Sequence, residues 1–112
     1  MPSILILGEH DKGFGEPFSL KTLSGKRLRA ALSEFGVDAK LGNVFDYDHG
    51  TVTERNLRVA CAGCQVVIAL GKVAAAECER QQIDYQYLPH PAVRSTLLLG
   101  KLRTGLQRLK SL

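Results

Sequence analysis

Four apolar runs punctuate the chain, and each empties into a polar cluster. Ser3-Ile4-Leu5-Ile6-Leu7 and Val66-Val67-Ile68-Ala69-Leu70 are uninterrupted, the pattern of strands buried on both faces of a sheet. Val37 to Val44 reads as a weaker strand because Lys40 and Gly42 interrupt it. Ile83 to Leu88 reads as a fourth, stopped by Pro89 and Pro91. Helical patterns lie between. From Thr22 onward Leu28, Ala31, Leu32 and Phe35 recur at helical spacing, and Gly36 suits the position just past a helix end. Phe45 to Gly50 is polar and turn-like, and Thr51-x-x-Glu54 has the capping-box form that predicts a short helix through Ala60. An Ala-rich helix follows Gly71 to about Arg80, and a last helix begins near Ser95 with Leu99, Leu102, Leu106 and Leu109 on one face.

Strands alternating with helices imply an α/β protein, a three-layer α/β/α arrangement around a four-stranded parallel sheet. No linker, repeat or low-complexity tract divides residues 1–112, so a single domain is expected. In such a sheet, ligands bind just beyond the carboxyl ends of the strands. Four clusters meet at that rim: Gly8-Glu9-His10 with Gly15-Glu16-Pro17-Phe18, then Asn43-Val44, then Gly71 with Ala74 behind it, then His90-Pro91-Ala92. A carboxylate, a Phe, an Asn and a His at one rim suit a flat polar ring.

Composition narrows the picture slightly. Apolar residues make up 45% and charged residues 23%, which describes a folded globule rather than a disordered segment. No apolar run approaches the roughly 20 residues that a membrane helix needs, and Ser3–Leu7 is too short for a secretion signal, which points to the cytoplasm. The net charge of +4 fits a polyanionic partner. Lys21, Lys26, Arg27 and Arg29 crowd the first helix, while Arg94, Lys101, Arg103, Arg108 and Lys110 crowd the last segment. Cys61, Cys64 and Cys78 form an odd count that suggests no disulfide framework. The Cys61-Ala-Gly-Cys64 spacing falls between a helix end and a strand, the wrong side for dipole activation of a thiol. No finger-like histidine spacing accompanies it, so no structural zinc is expected.

Several chemistries are excluded by missing motifs. Gly8, Gly13 and Gly15 do not form GxGxxG. Gly71-Lys72-Val73 lacks both the leading Gly and the Ser or Thr of a phosphate-binding loop, and no GxSxG elbow is present. What remains is recognition of a base. An Asn carboxamide offers one donor and one acceptor edge to a uracil-like ring. An aromatic side chain can stack on its face, and a His can stabilise negative charge developing on a departing base. Enzymes that act on a base turn it out of the duplex into such a pocket.

These residues resemble the uracil-DNA glycosylase superfamily, closest to its iron–sulfur and related bacterial branches. Gly8-Glu9 followed by Gly15-Glu16-Pro17-Phe18 is similar to the family's GEAPG and GxPF motif. Ser24-Gly25-Lys26-Arg27-Leu28 is similar to the segment opening its first helix, and Asn43-Val44 to its base-reading Asn-Val. Ala69-Leu70-Gly71 with Ala74 is similar to its ALGxxA, and His90-Pro91-Ala92 with Arg94 to its closing HP(S/A) motif. The matches run in family order across nearly the whole chain.

The resemblance implies a uracil-DNA-glycosylase-like fold, DNA as partner, and N-glycosidic cleavage of uracil or a modified base. Gly8, Glu9, Phe18 and Asn43 would bind the base, with Phe18 stacking on it and Asn43 reading its edge. His90 would face the base carbonyl. Val93 and Arg94 would approach the minor groove near the gap left by the flipped base, joined by Lys101 from the basic last helix. The family carries its catalytic carboxylate or amide a few residues after GEAPG. Here that stretch is the shorter His10-Asp11-Lys12-Gly13-Phe14, which leaves Asp11 as the nearby replacement and predicts weak or base-restricted activity. Glu9 and Glu16 read as acids bracing the loop, and His10 and His49 as surface residues. No cysteine precedes Cys61, so no iron–sulfur cluster and no other cofactor is implied. The alternative is a catalytically silent relative that binds nucleic acid or a protein partner, or one that modifies a flipped base.

Overall fold

The computed structural model describes residues 3–111. Its elements are β1 (Ile4–Gly8), α1 (Leu23–Phe35), β2 (Lys40–Asn43), β3 (Phe45–Asp48), β4 (Thr51–Glu54), α2 (Leu57–Ala60), β5 (Val66–Leu70), α3 (Lys72–Arg80), β6 (Gln86–Leu88) and α4 (Thr96–Leu109). Four strands form one parallel sheet in the order β2-β1-β5-β6. The two fully apolar runs are its central strands, as their lack of alternation requires.

Alternate residues of those strands feed two cores. Ile4, Ile6, Ile68 and Leu70 pack on α1 and α4 through Leu28, Leu32, Leu102 and Leu106. Leu5, Leu7, Val67 and Ala69 pack on Val44, Leu57 and the Ala74, Ala75 and Cys78 face of α3. The sheet is therefore the middle of three layers. The sides follow from handedness: β1 to β2 steps one way across the sheet, while β2 to β5 and β5 to β6 step the other. Right-handed crossovers then place α1 on one face and α2 and α3 on the opposite one.

The helix ends follow their capping residues. The Thr22 hydroxyl accepts the Gly25 N–H at 3.0 Å, and Gly36 closes α1 at φ 65°. Ser95 begins α4 by accepting the Leu98 N–H at 3.3 Å.

Two expectations are corrected here. Thr51–Glu54 does not open a helix; it is β4, antiparallel to β3, and the stretch expected to be only a turn supplies the partner strand. Phe45, Tyr47 and Val52 alternate with polar residues, and His49-Gly50 at φ 49° and 84° forms the two-residue connection that fits a hairpin's twist. The following helix starts only at Leu57, where the Asn56 side chain accepts the Val59 N–H at 3.3 Å. The outer strands are also shorter than their apolar runs. Val37 donates to the Leu32 carbonyl and Ile83 to the Cys78 carbonyl, so both residues close the preceding helix instead of entering the sheet. No helix among the described residues is long and apolar enough to cross a membrane.

Candidate functional site

The carboxyl ends of β1 and β2 and the segment that follows β6 meet at a cleft of about 230 Å³. That is below the roughly 300–1,000 Å³ of sites for drug-sized ligands and scaled to a single ring. Its lining includes Gly8, Glu9, Asp11, Phe18, Asn43 and His90, the six residues that the sequence assigns to base binding and catalysis. The register explains part of this. Gly8 lies directly beside Asn43 across the β1–β2 pair, so one residue of each strand reaches the cleft side by side.

Phe18 forms one wall. Its ring passes so close to Gly8 that a Cβ there would stand 2.5 Å from Cζ, which gives that glycine a steric reason. Phe18 has φ 50°, a left-handed conformation unusual for a bulky residue, and it is held from α1. Arg29 Nε donates to the Phe18 carbonyl at 2.7 Å and Arg29 Nη2 to the Pro17 carbonyl at 2.9 Å. Gly25 lets the loop cross the first turn of α1, since a Cβ there would meet the Ser19 carbonyl oxygen at 1.9 Å.

His90 forms a second wall between two prolines. Arg27, two residues before Arg29 on the same helix, donates through Nη1 to the Pro91 and Val93 carbonyls at 2.9 and 3.0 Å. One helix thus grips both walls. Gly71 packs against the imidazole, where a Cβ would lie 3.1 Å from His90 Cβ. His90 Nδ1 accepts the Ala92 N–H at 3.1 Å, so the neutral ring carries its proton on Nε2. Burial lowers the His90 pKa below its ordinary value, the Lys12 charge lowers it further, and Glu9 opposes both. At neutral pH His90 is an uncharged donor.

Asn43 also lines the cleft and is 7% exposed. Oriented by its hydrogen-bond neighbours, its amide nitrogen donates to the Gly42 carbonyl at 3.1 Å and its oxygen accepts the Asp11 N–H at 3.3 Å. Each end of the carboxamide has capacity for two bonds, so one donor and one acceptor remain for a ligand. The Arg55 guanidinium supports the main chain here by donating to the Asn43 carbonyl at 3.1 Å. Asp11 Oδ1 accepts the Gly13 N–H at 2.9 Å in its own turn.

His10, expected at the surface, is corrected. Its side chain is 15% exposed, stacks on Tyr47 at 5.2 Å between centroids, and lines the cleft. The reason is the β3–β4 hairpin, which brings Tyr47 over the loop. His49, at the hairpin tip, is 96% exposed as expected. Glu9 pairs with His10 at 3.2 Å, and Glu16 approaches Arg29 at 3.9 Å.

The residues assigned to DNA contact stand outside the cleft. Val93 is half-buried in the turn that Arg27 holds, and Arg94 is exposed beside it. Lys101 lies on a separate groove between α4 and β6. The basic patches are partly structural: Arg27 and Arg29 serve backbone carbonyls, Arg103 pairs with Glu34 and covers Phe35, and Lys110 donates to the Gly36 carbonyl. Lys12, Ser19, Thr22 and Ser24 also line the cleft, and sequence reasoning did not select them. The Thr22 cap was the available signal for the last three, because it fixes where the loop meets α1. Cys61 and Cys78 have raised pKa values, chiefly through burial, the latter to about 11, so these thiols are not activated. No protein-family model and no curated protein matches the chain.

Proposed function

We propose that the cleft receives a single base turned out of a DNA strand, and that the protein cleaves the N-glycosidic bond of uracil or another deaminated or modified base. On this reading the domain is a compact uracil-DNA-glycosylase-like fold working in DNA repair. The observation that carries it is the meeting of Phe18, Asn43 and a neutral His90 around one ring-sized cleft. Phe18 supplies an apolar face for stacking. Asn43 supplies the remaining donor and acceptor, and a base that leaves a buried amide unpaired loses about 1–3 kcal/mol. His90 Nε2–H meets the negative charge that gathers on the base carbonyl as the bond breaks. A neutral donor does this without requiring a charged imidazolium in a desolvated cleft. Asp11 Oδ2, which takes no part in the turn bond, orients water or faces the cationic sugar. Val93, Arg94 and Lys101 contact the strand outside the cleft.

The test is single-turnover excision on oligonucleotides containing uracil, hydroxymethyluracil or hypoxanthine, followed by cleavage at abasic sites. Loss of the His90 donor in His90→Ala lowers the rate by about a hundredfold. Asn43→Ala relaxes base choice, and Asp11→Asn slows the parent's preferred base. A parent that cleaves and is unaffected by His90→Ala and Asn43→Ala refutes the site assignment. A second reading, a silent relative that binds nucleic acid without cleaving it, is favoured by the engagement of Asp11 Oδ1 in its own turn. Its signature is DNA binding that weakens steeply with salt and no excision of any base.

A further inference from the structure

The loop from Glu9 to Gly13 is engaged in bracing itself, with one exception. Glu9 pairs with His10, His10 stacks on Tyr47 and accepts the Lys12 N–H through Nδ1 at 2.9 Å, and Asp11 accepts the Gly13 N–H at 2.9 Å. Gly13 leans on the hairpin, where a Cβ would stand 3.2 Å from Tyr47 Cε1. These contacts hold Lys12 at φ 54°, in the left-handed region that few side chains occupy without support. Among the described residues, the Lys12 ammonium takes no part in this bracing. Yet Lys12 lines the cleft with Asp11 and His90, near enough for its charge to oppose protonation of the imidazole. The loop fixes the backbone of Lys12 at the mouth of the cleft and leaves its amine available.

We infer that Lys12 is a nucleophile toward an aldehyde at the mouth of the cleft, the ring-opened sugar of an abasic DNA site, which adds a lyase step after base excision. This rests on the base-excision reading above, because removal of the base leaves at C1′ the hemiacetal that opens to that aldehyde. The neutral amine attacks C1′ and forms a C–N bond. With one proton taken up from solvent, the carbonyl oxygen departs as water and leaves a protonated imine, whose extra proton returns to solvent at the final hydrolysis. The imine draws electrons from C2′, whose proton passes to the Asp11 carboxylate. The released electron pair forms the C2′–C3′ double bond as the C3′–O3′ bond breaks, and the 3′-phosphate leaves. Water then hydrolyses the imine, returning the Lys12 amine, and Asp11 releases its proton to solvent. No oxidant or reductant enters.

The experiment supplies a duplex carrying a pre-formed abasic site to the full chain in the presence of borohydride, which reduces an imine to a stable amine. A covalent adduct that maps to Lys12 by peptide mass spectrometry is expected, together with strand cleavage when borohydride is omitted. Lys12→Arg and Lys12→Ala lower the adduct by roughly tenfold or more, because neither offers the amine. Both retain the parental melting temperature, since the residue is exposed. An Arg variant that binds DNA as the parent does but loses the adduct separates a nucleophile from a phosphate contact. An adduct retained in both variants, or one that maps to another lysine or the terminal amine, overturns the inference. So does a parent that forms no adduct while both variants lose DNA affinity. A parent that traps abasic DNA but excises no base refutes the excision reading alone, and one that excises but never traps refutes the lyase step alone.

Discussion

Replacing Arg29 with Met removes the grip on the Phe18 wall while keeping most of the aliphatic stem. The guanidinium makes two bonds to main-chain carbonyls, at 2.7 Å to Phe18 and 2.9 Å to Pro17. Each bond from a charged donor contributes about 1.5–3 kcal/mol. The Arg29 side chain is 35% exposed, so water replaces part of what is lost. Halving the sum for that exposure leaves about 2 kcal/mol. Release of Phe18 from its left-handed conformation returns about 1 kcal/mol, which offsets part of the loss. The net expectation is a destabilisation of about 1–2 kcal/mol, a fall in Tm of roughly 5–10 °C for a domain of this size. The neighbouring Glu16 contact, at 3.9 Å between half-exposed groups, adds little. On the proposed base-excision reading, excision falls further than stability does, because Phe18 loses its fixed place beside Gly8. Urea unfolding of the parent, Arg29→Met and Arg29→Lys measures the first effect, and single-turnover excision the second. Lysine lacks the planar fork and recovers less than half of the stability. Unfolding within about 0.5 kcal/mol of the parent, or full recovery by lysine, refutes the argument that this fork holds the wall.

Two glycines of α4 respond with opposite signs. Gly100→Ala meets open space and raises stability by about 0.5–1 kcal/mol, whereas Gly105→Ala drives a Cβ to 2.2 Å from Leu88 Cδ2 and lowers it, as thermal melts of the pair will show. Glu77 is 5% exposed, and its pKa is lowered mainly by the Arg80 hydrogen bonds, with Gln81 adding to the effect against burial. A carboxyl whose folded pKa lies below its unfolded value stabilises the fold above the unfolded value, near 4.5, and loses that contribution as pH falls through the folded pKa. Glu77→Gln therefore flattens the acid limb of a stability–pH profile, and an unchanged limb refutes the assignment. His90, whose pKa is also lowered, behaves similarly at higher pH: stability is full above about 6.5 and declines below it, as the unfolded chain takes up the proton first. An NMR titration of its ring should place the folded pKa below that value, and a midpoint above it refutes the burial argument.

The sequence was legible where a signal is local. Two runs of unbroken apolar residues identified the central strands, and Thr22, Ser95 and Gly36 marked helix ends through bonds made within a few residues. It misled where one pattern fits two partners. Thr51-x-x-Glu54 satisfies the spacing of a capping box, but Thr-Val-Thr is equally suited to a strand, and pairing with Phe45–Asp48 decides the outcome. The resulting hairpin carries Tyr47 over the cleft loop and draws His10 off the surface.

The strand-end rule gathered Gly8, Glu9, Phe18, Asn43 and His90 to one rim from the chain alone, because a parallel sheet aligns all its carboxyl ends on one side. It gave no account of what sets the width of the cleft. Arg27 and Arg29 read as basic surface in sequence, yet they reach carbonyls 64 and 66 residues away on one wall, and 11 and 12 residues away on the other. A main-chain carbonyl is present at every residue and leaves no mark in the sequence, so which ones a guanidinium meets is decided by the packing of α1 against the sheet. Local hydrophobic continuity determined the layers and the rim; the tertiary structure determined how the rim is braced into a cleft.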